Sequence, residues 1–174
     1  NFGDTACLSF FPSKNLGGLG DGGMVLTNSD SLAGGVRELR NHGMEPKYYH
    51  KRVGGNFRLD ALQAAGLLAK IPHLDKWGDM RRANAAFYNE AFSGSGTVVI
   101  PYIDPRNHSI YNQYIISVNN RDEVLAHLRE KQIGCEIYYP LPLHVQECFK
   151  ALGYSEGDFP NSEYAAKHTI ALPI

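Results

Sequence analysis

Lys14 stands between a short apolar run and a loop with five glycines, in Ser9-Phe-Phe-Pro-Ser-Lys14-Asn-Leu-Gly-Gly-Leu-Gly-Asp-Gly-Gly23. A lysine amine becomes a nucleophile when it is desolvated or lies near other cations. Phe10, Phe11 and Pro12 supply an apolar approach. Ser9 and Ser13 offer hydroxyls that could hold a phosphate, and glycines let backbone come close to a bound group. This is the equipment of a Schiff-base lysine beside a phosphate cup. On these residues alone a solvated surface lysine reads equally well.

Three other constellations compete for attention. Gly18-Leu-Gly20-Asp-Gly-Gly23 satisfies GxGxxG, but the dinucleotide reading needs a strand before it and a helix after it. Here the strand-like "GMVLT" follows directly, so that reading fails, and a plain glycine-rich turn stays open. No Gly-Lys-Ser/Thr closes the loop, which excludes the Walker pattern. His144 and Cys148 lie four apart, on one face of an expected short helix, which is half of a metal site. No second pair has ligand spacing, so no metal is expected. Asn56 and Arg58, in "GGNFRLD", precede a long helix, where helix starts favour anions. A cap plus a surface charge explains that stretch as well.

The elements that position these residues follow from periodicity. Ala6–Phe11 and Gly23–Thr27 read as short buried strands flanking the lysine loop. Ser31–Asn41 reads as a helix capped by Ser31. Residues 42–58 mix Gly, Pro, aromatic and basic residues without a period and read as a loop. A long helix begins at Leu59, with Asp60 near its start, and Pro72 kinks or divides it. It ends at the Ser93-Gly-Ser-Gly break. Beyond a lobe boundary near 80–96, strands are expected at 110–118, 135–140 and the final "TIALPI". Helices are expected at 121–132, over "HVQECFKAL" and over "PNSEYAAKH".

The bulk numbers narrow the class. With 174 residues, 43% hydrophobic and 20% charged, the composition is globular. A net charge of -1 gives no reason to expect nucleic acid or an anionic membrane as partner. No apolar run reaches the roughly 20 residues of a membrane helix. Cys7, Cys135 and Cys148 are too few and too scattered for a disulfide framework and read as reduced cytosolic thiols, so a cytoplasmic location is expected. The sequon Asn107-His-Ser109 reads as chance. Both ends look cut, as in part of a longer protein.

Taken together, "SFFPSKNLGGLGDGGMVLT", "LRNHGMEPKYYHKRVGGNFRLDALQAAGLLAKI" and "EIYYPLPLHVQECF…LPI" resemble the sugar aminotransferases of the DegT/DnrJ/EryC1/StrS family. These are α/β enzymes of fold type I that use pyridoxal 5'-phosphate (PLP). The resemblance runs in order over the whole chain. It implies that residues 1–85 are the C-terminal part of the large PLP-binding domain with the start of the linking helix, and 86–174 the small α+β domain.

The resemblance also implies roles. Lys14 would hold PLP as a Schiff base and then move the substrate proton. Ser9 would bind the cofactor phosphate, and Asn56 the phosphate of the neighbouring subunit's cofactor, in a homodimer with a shared active site. Arg58 and the His50 region, with Tyr138, Tyr139 and His144, would face a nucleotide-linked keto sugar. Glutamate would donate the amino group, and the product would feed surface polysaccharide or a related glycoside. The long central motif looks closer to enzymes acting at C3 of the sugar than at C4. In that family a pyridinium Asp, a stacking aromatic and a Gly-Thr phosphate loop lie upstream of the lysine. Only 13 residues precede Lys14, so the fold is expected to be incomplete. The rivals are a PLP-dependent sugar dehydratase, which replaces the lysine with histidine, and a non-catalytic regulator that binds PLP or a sugar nucleotide.

Overall fold

The computed structural model describes residues 3–174. Its contacts form two compact units, the first ending at Trp77 and the second running Gly78–Ile174.

In the first unit, β1 (Thr5–Ser9) and β2 (Gly23–Thr27) form an antiparallel hairpin, with Thr5 opposite Thr27 and Ser9 opposite Gly23. The Lys14 loop is its turn. Helix α1 (Asp30–Leu39) follows. Its cap is Ser29, not the expected Ser31: extended backbone at Ser29 carries its hydroxyl to the Leu32 amide, at 3.3 Å. Loop 42–58 folds back on the end of α1. There Gly55 donates to the Leu39 carbonyl at 3.0 Å, and Phe57 to that of Arg40 at 2.9 Å. Helix α2 (Ala61–Lys70) is capped by Asp60, whose Oδ1 accepts from Leu62 N at 2.7 Å. Pro72 sits in a 3-10 turn, Ile71–His73, and the helix resumes as α3 (Leu74–Ala91), so the proline divides it.

The second unit is built on a three-stranded antiparallel sheet ordered β3 (Val98–Val99), β4 (Tyr114–Val118), β5 (Thr169–Leu172). Against it lie α4 (Arg121–Glu130) and α5 (Pro160–His168). Tyr114, Ile116, Val118, Leu125 and Ile170 are buried in its core, with Ala85 of α3 and Cys135. Alternate residues of β4 point inward, as a half-buried strand requires.

Three expected elements are shorter than their patterns. The strand expected at 110–118 starts only at Tyr114, because Tyr111 has a φ of 42° that a strand does not accommodate. The strand expected at 135–140 is reduced to one bridge, Glu136 with Ala171, and Tyr139 at φ 58° turns the chain away before Pro140. The helix over 144–152 is instead two 3-10 turns, Leu143–Val145 and Glu147–Leu152, separated by extended backbone at Gln146.

Candidate active site

The turn carrying Lys14 is tied at its base. Phe10 is buried, its amide donates to Gly22 O at 2.8 Å, and its carbonyl accepts from Gly18 N at 2.7 Å. Lys14 N donates to Phe11 O at 2.8 Å. Glycine is required at 17, where a Cβ would lie 2.2 Å from the Pro12 carbonyl oxygen. Within this tied backbone the Lys14 side chain is exposed, and its amine has no hydrogen-bond or ion-pair partner among the described residues. Ser9, at the end of β1, is exposed too, and its Oγ accepts from Phe11 N at 3.3 Å.

Three amides of the glycine loop are taken up within the chain. Gly18 N is taken by Phe10, and both Leu19 N and Gly20 N donate to Gln63 Oε1, at 2.7 and 3.0 Å. A Cβ at Gly17, Gly18, Gly20, Gly22 or Gly23 would lie 2.2–2.9 Å from another atom, so these glycines serve close packing. Gln63 and Lys70, both on α2, escaped the sequence reading. The only signal available was their spacing of seven on an otherwise mostly apolar helix.

Asn56 and Arg58 lie on the strand of loop that pairs with the end of α1. The Asn56 backbone bridges Asn41, and Arg58 Nη1 donates to Asn41 Oδ1 at 2.7 Å. Neither residue caps α2; Asp60 does. The same loop exposes Tyr48, Tyr49, Val53 and Phe57, and His50 Nδ1 lies 2.9 Å from His42 O.

Tyr138, Tyr139 and His144 come together in the second unit, lining a groove of about 550 Å³ with Gln113, Phe159 and Ser162. His144 is buried, with Nε2 3.0 Å from Glu163 Oε1 and its ring 4.8 Å from that of Phe159. Glu163 Oε1 also accepts from Gly157 N at 2.8 Å and Phe159 N at 3.3 Å. The Gly157 amide first, then the His144 imidazole and the Phe159 amide, hold the Glu163 carboxyl below its ordinary range, against the opposing pull of partial desolvation. No local pattern announced Glu163, which stands 19 residues from His144.

Cys148 is exposed and on a different turn from buried His144, so the two do not share a helix face. Among the described residues no three His, Cys, Asp or Glu gather as a metal site, and no helix is long and apolar enough to cross a membrane.

The fold of this chain matches a solved structure. The crystal structure of S. venezuelae DesV in complex with a ketimine intermediate matches with a TM-score of 0.95 at 37% identity, over 99% of this chain and 47% of that one. The class is therefore fold type I, of which this chain carries about half. Residues 1–174 match the DegT/DnrJ/EryC1/StrS aminotransferase family, and the chain belongs to that family. Among its relatives, the "Pleiotropic regulatory protein" of Geobacillus stearothermophilus is 49% identical over 99% of this chain and 47% of the relative. The UDP-N-acetyl-3-dehydro-alpha-D-glucosamine 3-aminotransferase of Acidithiobacillus ferrooxidans is 41% identical over 100% and 46%. The chain spans about half the length of these curated relatives.

Proposed function

We propose that the chain is the lysine-bearing C-terminal portion of a PLP-dependent aminotransferase that moves an amino group from glutamate to a nucleotide-linked keto sugar. The observation that carries this is the exposed Lys14 amine, unpartnered among the described residues, on a turn whose Phe10, Lys14, Gly18, Leu19 and Gly20 amides are bonded within the chain. The donor chemistry fits the cofactor: a primary amine for its aldehyde, and the Ser9 hydroxyl and Asn56 amide for its phosphate. The transaminase name of the A. ferrooxidans relative supports the substrate class, and favours C3 as the aminated carbon.

When bound, PLP supplies an electron sink for the pair left on the substrate carbon. This chain's residues do the rest. Lys14 Nζ would be the group that holds the cofactor and the base that moves the proton at the substrate carbon. Ser9 Oγ donates to the phosphate. Asn56 would hold the phosphate bound by a second copy, which makes a homodimer part of this reading. Arg58, Tyr138 and His144 face the sugar nucleotide. Lys14 speaks against the dehydratase alternative, whose members carry histidine there.

A second reading has one observation in its favour, the regulatory name of the 49% identical relative. One experiment separates the two. The protein at the full length of its relatives is loaded with PLP, reduced with borohydride and mapped by mass, and 2-oxoglutarate release from glutamate is measured in parallel. The aminotransferase reading expects label on Lys14 and release of 2-oxoglutarate, both lost in Lys14→Ala. Label without release supports the regulator. A folded, PLP-treated protein without label at Lys14 overturns the assignment of that residue.

A further inference from the structure

Helix α2 grips the turn that presents Lys14. Gln63 and Lys70 are seven residues apart, hence on one helical face. From that face Gln63 Oε1 accepts from Leu19 N at 2.7 Å and Gly20 N at 3.0 Å. Lys70 Nζ donates to Gly17 O at 2.5 Å. The fit is close on the loop side: a Cβ at Gly18 would lie 2.8 Å from Gln63 Oε1, and one at Gly20 2.9 Å from Gln63 Nε2.

Positions 17–20 are in turn locked to 10–14. Gly17 abuts the Pro12 carbonyl, Gly18 N bonds Phe10 O, and Lys14 N bonds Phe11 O. A shift in one segment is therefore passed to the other. The helix is itself anchored by its Asp60 cap and by buried Leu67.

We propose that Gln63 and Lys70 are positioning residues for Lys14. They touch neither cofactor nor substrate, and they act by fixing the backbone from which the Lys14 side chain extends. The inference rests on the reading of Lys14 given above. A long lysine side chain has many rotamers, and a fixed base is what limits the volume its amine explores. Misplacing a reacting group by about 1 Å can cost about 100-fold in rate.

The test uses the full-length protein and four variants. Gln63→Met keeps length and helix propensity but removes the acceptor; Gln63→Glu restores an oxygen that accepts both amides. Lys70→Met and Lys70→Arg form the same pair for the Gly17 carbonyl. The methionine variants are expected to lower kcat about 10- to 100-fold while KM for the keto sugar changes less than about threefold. Amide exchange at Leu19 and Gly20 in Gln63→Met should quicken about tenfold or more. The acidic variant should restore both readouts, and Lys70→Arg should restore kcat.

Exchange needs no cofactor, so it separates the two ideas. Wild-type protein without borohydride label at Lys14 overturns the reading of that lysine. Label at Lys14 with wild-type kcat and exchange in Gln63→Met overturns the clamp. So does a Gln63→Glu variant as impaired as Gln63→Met. If Gln63→Met does not fold, the Lys70 pair decides alone: equal kcat in Lys70→Met and wild type overturns the proposal.

Discussion

Gly43→Ala tests what holds the loop that carries Asn56 and Arg58. Gly43 has a φ of 65°, in the left-handed region, and a Cβ there would lie 1.9 Å from the Arg52 carbonyl oxygen and 2.6 Å from its carbon. A close carbon–oxygen contact is about 3.3 Å, so the Arg52 backbone would have to retreat by about 1.4 Å. That retreat breaks the bond from Lys51 N to Gly43 O, now 2.8 Å long. The left-handed conformation costs an alanine about 1 kcal/mol, the lost hydrogen bond about 1 kcal/mol, and the overpacking about 1–3 kcal/mol. Together these make about 3–5 kcal/mol, more than a surface loop has to sustain. The loop opens rather than straining, which confines the loss to residues 42–58. Gly94→Ala is the control. Its φ is 77° and its Cβ would meet nothing within 4 Å, so only the conformational cost of about 1 kcal/mol applies. Hydrogen exchange at Lys51, Gly55 and Phe57 should quicken about 100-fold or more in Gly43→Ala, from about 3 kcal/mol at 1.4 kcal/mol per decade. In Gly94→Ala those three amides should not change. On the role proposed for Asn56, PLP affinity should fall in the first variant only. Wild-type exchange across residues 42–58 in Gly43→Ala would refute the steric argument.

Two further outcomes concern the second unit. Tyr114 is fully buried, and its hydroxyl donates to Asn89 Oδ1 at 2.8 Å. Burial, then Tyr111 and Tyr88, push its pKa up and keep it a neutral donor. Tyr114→Phe should cost about 1–2 kcal/mol by leaving Asn89 without its donor, and Tyr114→Ala about 3–5 kcal/mol by opening a cavity. Urea unfolding measures both, and equal costs would show that the ring contributes nothing beyond its hydroxyl. Glu163 is favoured in its charged form when folded, so its contribution is present above the ordinary carboxylate pKa of 4.5 and is lost as pH falls through the lower folded value. Glu163→Gln should therefore flatten the fall of the urea midpoint below pH 4.5. An unchanged acid profile would exclude Glu163 as its source.

What the sequence made legible was local. The lysine turn, its flanking strands, the helix start near Asp60 and the break at Pro72 each depend on residues within a few positions of one another. What it hid was long-range. The bonds from Gln63 and Lys70 to the lysine loop span 43 to 53 residues, and their spacing of seven on α2 does not name the partner. The bridge at Glu136 and the His144–Glu163 contact are of the same kind. Tyr111 and Tyr139 defeated the strand readings through positive φ values that their residue type does not announce.

The hairpin is the most informative discrepancy. "ACLSFF" and "GMVLT" have the near-continuous apolar character of strands covered on both faces, not the alternation of strands with one face in water. In the structure every residue of β1 is exposed, and Leu8, Met24, Val25 and Leu26 each keep 42–46% of their surface in solvent. In the second unit the pattern and the burial agree: β4 alternates, and its inward residues are buried. The disagreement is thus local to the hairpin, and it has one physical sense. These strands carry apolar residues suited to covered faces, while among the described residues β1 and β2 pair only with each other and α1 packs on β2. That mismatch sits on the lysine-bearing unit of a chain spanning about half the length of its relatives.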